Sequence, residues 1–131
     1  MSSKSLFIIL GNHLFPLNEI YSFKDSYFFM AEDYELCSYE KHHKHKIIFF
    51  LSSMRKYAAE LKSKKFNIKY IHLNKQNRKL TYEDKIKDFI KNKKISEIKM
   101  FQIEDKFFEK RILKFCKKNK ISIQFLESPM F

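Results

Sequence analysis

Glycine is almost missing from this chain. It occurs once in 131 residues, at Gly11. A glycine-rich phosphate loop is therefore excluded, because both common forms need at least two glycines at fixed spacing. Tryptophan is absent and proline occurs only twice. Cysteine is limited to Cys37 and Cys116, too far apart for a metal-binding pair; with no leader pattern in front of them, the expectation is free thiols in a reducing cytoplasm. Long apolar runs are missing too. The longest, Leu6–Leu10 and Ile47–Leu51, fall far short of the ~20 residues a membrane helix needs. Arginine appears only at positions 55, 78 and 111, so lysine makes up most of the 27 basic residues, which outnumber 15 acidic ones for a net charge of +12. Such a surface favours nucleic acid or acidic membranes as partners, or simply keeps the protein dispersed.

What is present is aromatic. Phenylalanine alone accounts for 15 residues, and the length suffices for one domain with a real core. Ser5–Leu10 is a continuous apolar run, as expected of a central parallel strand buried on both faces. It ends at Gly11-Asn12-His13. An irregular stretch from Phe15 to Lys24 leads to a second buried strand, Asp25–Ala31, which closes on Glu32-Asp33. A loop carrying Cys37 and Tyr39 follows. The longest helix then runs from Glu40 to Lys64, with Ile47, Phe50, Leu51, Met54, Tyr57, Ala58 and Leu61 on one stripe. Three more strands are expected at Phe66–Leu73, Glu97–Phe101 and Ile121–Phe125. They alternate with helices at Glu83–Lys93 and Asp105–Asn119, the latter with Phe108, Ile112, Leu113 and Phe115 inward. Thr81 fits a helix cap only loosely, since Asp84 stands where a longer Glu is usual. Lysine runs at 62–65, 91–94 and 117–120 close the three helices, where cations suit the macrodipole. The alternation predicts an α/β fold: a single, three-layer, doubly wound domain on a five-stranded parallel sheet, Rossmann-like or flavodoxin-like.

The densest chemistry is Glu40-Lys-His42-His43-Lys-His45-Lys46 at the mouth of the long helix. A zinc site lacks a third ligand at suitable spacing, and lysines crowd it. A Cys37–His42 or Cys37–His43 nucleophile has no oxyanion loop beside it. A phospho-acceptor domain of this topology would need an aspartate where Leu73-Asn74 stands. What remains is a ligand crevice outside the carboxyl ends of the strands. Its rim would be Gly11, Asn12, His13, Glu32, Asp33, Tyr39, His42, His43 and Lys46, which suits a planar heteroaromatic with polar edges. The basic helix mouth opposes the macrodipole, a mismatch that an anion would relieve.

The run Leu6 to Leu14 resembles the "ILGDQL" opening of the photolyase-related proteins, the iron–sulfur bacterial cryptochromes and (6-4) photolyases. Glu40 to Leu61 is similar to their "HHKxKI…MR…EL" segment, and Glu127-Ser-Pro-Met-Phe131 to the stretch after their last N-domain strand. The resemblance implies an N-terminal α/β domain, residues 1–126, that binds an antenna chromophore for light-dependent DNA repair or photoreception. That chromophore is 6,7-dimethyl-8-ribityllumazine where identified. Residues 127–131 would begin the linker to a C-terminal domain that carries FAD and the iron–sulfur cluster and is absent from this chain. On that view the chain is cytoplasmic and not catalytic by itself, and it touches DNA through a full-length parent or weakly through its lysines. Two departures stand out. Asn12-His13 replaces the family's Asp-Gln, and Gln102-Ile-Glu104-Asp105 lacks the proline and arginine usual after the fourth strand. The alternatives are a basic nucleic-acid-binding α/β module without chromophore, or a truncated inactive remnant.

Overall fold

The structure is a computed structural model and describes residues 5–11, 13–32, 44–74, 79–103 and 105–127, with backbone only for 44–50. Five strands are present: β1 (Ser5–Ile8), β2 (Tyr27–Ala31), β3 (Asn67–Ile71), β4 (Glu97–Phe101) and β5 (Ser122–Leu126). Among the described residues they alternate with three helices: α1 (Lys44–Ser63), α2 (Tyr82–Lys93) and α3 (Lys106–Lys118). All pairings are parallel, in the order β3-β2-β1-β4-β5. Of the two doubly wound orders the sequence allowed, this is the Rossmann one; the flavodoxin order would put β3 next to β1. Between β1 and β2 the chain forms two short 3-10 turns, Leu17–Glu19 and Tyr21–Phe23.

Period-two alternation splits each central strand between two cores. Leu6 and Ile8 of β1, with Phe29 of β2 and Ile98 and Met100 of β4, meet α2 and α3 on one face. Phe7, Ile9, Phe28, Met30 and Phe101 meet α1 and the 3-10 segment on the other. Phenylalanine is shared between the two faces, and on the second its rings meet one another. Phe7 lies 5.1 Å from Phe23, 5.2 Å from Phe28 and 5.6 Å from Phe101, distances typical of favourable ring pairs. From α1, Met54, Tyr57, Ala58 and Leu61 are buried here at three- and four-residue steps, the expected stripe of an amphipathic helix. Leu113 departs from expectation: it is 42% exposed. The buried line of α3 is Phe108, Ile112, Phe115 and Cys116, and a residue five positions after Phe108 has rotated off it.

The helix ends show how a chain with one glycine stops its helices. Lys65, Lys94 and Lys120 have φ of 67°, 54° and 56°, the left-handed conformation usually given to glycine after a helix. The starts are better matched. Thr81 and Asp84 form a full capping box, with both side chain–backbone bonds at 3.1 Å, and Asp105 accepts from the amides of Phe107 and Phe108. Among the described residues no helix is long and apolar enough to cross a membrane.

Candidate functional site at the carboxyl edge of the sheet

The strand order reverses between β1 and β4, since β1 connects toward β2 and β4 toward β5. In doubly wound sheets ligands bind outside the carboxyl ends of the strands at this switch. Gly11 stands there, three residues beyond the end of β1, and its φ is not positive. A turn that only glycine can make therefore does not account for it. The following loop is held down firmly. His13 is 3% exposed. Its ring stacks on Phe15 at 5.7 Å and 20°, and Phe101 stands edge-on to both, 6.0 Å from His13 and 5.0 Å from Phe15. Tyr57 of α1 donates its hydroxyl to the Phe15 carbonyl at 2.7 Å. Burial pushes that hydroxyl's pKa up to about 12, so it remains a donor at any ordinary pH.

At the end of β2 lies Glu32, with no exposed surface. One carboxylate oxygen accepts from Arg55 Nε at 2.6 Å and the Tyr70 hydroxyl at 2.5 Å. The other accepts from Arg55 Nη2 at 2.9 Å and the Leu73 amide at 2.8 Å. His72 Nδ1 approaches to 3.9 Å. Four donors occupy the roughly four lone-pair sites of a carboxylate. Burial alone would raise the Glu32 pKa, but these bonds and the Arg55 charge outweigh it and bring it to about 2. Arg55 is held further into its charged form by the same carboxylate, while burial, and the Glu32 carboxylate as hydrogen-bond acceptor and as charge, push the Tyr70 hydroxyl above its ordinary range. Glu32 is thus a permanently ionised clamp joining β2, α1 and the end of β3, not a proton carrier. Its backbone joins the other layer, because buried Lys85 of α2 donates Nζ to the Glu32 carbonyl at 3.0 Å.

Of the rim expected from sequence, Gly11, His13 and Glu32 fall at the carboxyl edge, on the ends of β1 and β2. Lys46 belongs to α1, with its backbone alone described. Asn12, Asp33, Tyr39, His42 and His43 lie outside the described residues. The first described turn of α1 carries Lys44, His45 and Lys46 and no acid. Sequence reasoning missed the second layer of the site: Arg55, Tyr70, the Leu73 amide, Tyr57 and Lys85. Tyr57 read as one more stripe residue, and nothing singled out Lys85 among the many lysines. A signal for Arg55 did exist, since a carboxylate closing a buried strand needs a cation, and arginine is scarce in this chain.

Two other features sit apart from this edge. A cleft of about 300 Å3 runs between β3 and α2, lined by Asn67, Lys69, Ile71, Lys85, Asp88 and Phe89 among others, on the flank of the sheet rather than at the switch point. Cys116 is buried and its thiol is pushed up to about 11 by burial, which leaves it inert as a nucleophile. Among the described residues no group of three His, Cys, Asp or Glu side chains is placed to hold a metal ion. The family model of the deoxyribodipyrimidine photo-lyase-related proteins matches residues 7–131. No curated protein matches the chain.

Proposed function

The chain belongs to the deoxyribodipyrimidine photo-lyase-related protein family, and on that premise we propose that it is an antenna-type α/β domain. It holds a planar light-harvesting chromophore at the carboxyl end of its sheet, in the service of light-dependent DNA repair or photoreception. The observation that carries this is Gly11. The only glycine of the chain stands at the switch point without a positive φ. What glycine still offers there is the missing Cβ, which lets a flat ring lie against the backbone.

A ribityllumazine fits the chemistry of this edge. Its ring is planar and its rim accepts and donates hydrogen bonds. The polar groups assigned to that rim are Asn12, Asp33, Tyr39, His42, His43 and Lys46, which in the sequence follow β1, follow β2 and lead into α1. Glu32 is assigned a different job from theirs. With its lone pairs already taken, it fixes the end of β2 and the approach of α1, and so shapes the crevice without touching the ligand. Tyr57 does the same for the loop after β1. When bound, the chromophore supplies the absorption of light. Electron transfer and bond cleavage are assigned to a flavin-bearing domain, and no residue described above is given either role.

The test is reconstitution. The folded chain is incubated with 6,7-dimethyl-8-ribityllumazine and passed through gel filtration. Visible absorbance that travels with the protein supports the proposal; a folded chain that emerges colourless refutes chromophore binding and leaves the family membership standing.

A further inference from the structure

The sequence carries its +12 charge with no address, and the fold supplies one. Helices α2 and α3 cover the same face of the sheet. Arg111 of α3 joins them through a two-bond pair to Glu83 of α2, at 2.9 and 2.6 Å. Their outer surfaces differ. On α2, exposed Lys87 and Lys91 each follow an exposed carboxylate, Asp84 and Asp88, by three residues, so charges of opposite sign neighbour one another along the helix. On α3, Lys106, Lys110, Lys114 and Lys117 are all exposed at steps of four, four and three, which sets them in one line a helical turn apart. Among the described residues the acids at this helix are Asp105, which caps its start, and Glu109, partly buried and 3.4 Å from Lys106 at the same end of the row. A general lysine excess would dress both helices alike; among the described residues one is compensated along its length and the other only at its first turn.

A second observation lies beside that row. Phe107 is 72% exposed, the most exposed large apolar side chain among the described residues. It sits in the first turn of α3, three residues before Lys110. Lys106 in the same turn opposes the helix macrodipole, as cations at the far end do not. We infer that the outer face of α3 binds single-stranded nucleic acid. The lysine row lies along the phosphates and Phe107 stacks on an unpaired base. Single charges repeated along a line meet single charges repeated along a backbone, and an exposed ring between them serves unpaired bases, whatever their sequence. This face lies on the flank of the domain and does not depend on chromophore binding.

The experiment is fluorescence anisotropy of a labelled oligothymidylate with the folded chain across a salt series. Engagement of three to four lysines gives a log–log salt slope of about −2 to −3. The double variant Lys110→Gln/Lys114→Gln should weaken binding about tenfold or more at low salt. Lys87→Gln/Lys91→Gln, with the same change in net charge, should leave it within about twofold, because each removed lysine has a carboxylate beside it. Phe107→Ala should weaken oligonucleotide binding about fivefold or more while leaving inorganic polyphosphate binding unchanged. Circular dichroism confirms that each variant is folded. No binding by the folded wild type overturns the inference, as does an equal loss from both lysine pairs. An oligonucleotide affinity indifferent to Phe107→Ala and no stronger than that for polyphosphate also overturns it, and gives the face to an acidic protein partner instead.

Discussion

Glu32 shows how much one buried side chain can organise. Its carboxylate gathers donors from α1, from β3 and from the residue two beyond β3, and its own carbonyl holds Lys85. Because its folded pKa is depressed from 4.5 to about 2, its contribution is fully present above the ordinary carboxylate range and is lost as pH falls through that window. Across the shift this linkage amounts to about 3 kcal/mol. Glu32→Gln should therefore lower stability by about 3 kcal/mol at neutral pH and flatten the acid limb between pH 4.5 and 2, as read from urea unfolding at several pH values. Its partner Arg55 is half exposed and can be rehydrated, so Arg55→Ala strands the carboxylate more than the reverse change strands the guanidinium. Apart from Arg55, a scarce arginine that a buried carboxylate calls for, these partners could not be assigned from the sequence. An acid after a buried strand reads equally well as a ligand contact or as a clamp, and only the neighbours brought in by the fold decide how many of its lone pairs are free.

The helices were the most legible elements, and their ends the least. The stripe through Met54, Tyr57, Ala58 and Leu61 and the line Ile86, Phe89 and Ile90 are both inward, because three- and four-residue spacing dictates a face without reference to anything distant. The Thr81–Asp84 box is complete despite its shorter acid, since a carboxylate one methylene shorter still reaches the cap amide. Thr81→Ala should cost about 1 kcal/mol, seen as a melting temperature lower by roughly 3–5 °C. At the other end of α2, Lys94 occupies the left-handed conformation at φ 54°, where a side chain is disfavoured. Lys94→Gly should raise stability by about 0.5–1 kcal/mol in the same denaturation assay; an unchanged or lower value would mean that the lysine gives more at that cap than its conformation costs. The lysine runs closing the helices were visible in sequence as partners of the dipole. That the last lysine of each run also turns the chain was not, because glycine is the usual signal and this chain has spent its one glycine elsewhere.

At the scale of the whole molecule, the alternation of strands and helices was enough to give a parallel, doubly wound sheet, and the strand order then located the switch point at which such sheets bind ligands. The domain's two outward features point in different directions. The carboxyl edge carries Gly11 and the clamps at Glu32 and Phe15, while the flank carries the lysine row of α3. Composition alone could separate neither, since the same +12 covers both. The placement of the chain's one glycine at the switch point is the centre of the functional reading, so it is the position to fill. Binding of ribityllumazine should be measured by fluorescence titration for wild type and Gly11→Leu, with circular dichroism and unfolding run in parallel. Saturable binding by wild type, and loss of about tenfold or more in affinity when a folded Gly11→Leu chain has its crevice filled, is the outcome expected of an antenna domain with its ligand against the β1 backbone. Equal binding by both proteins would contradict that placement, and no binding by folded wild type would contradict the antenna role itself.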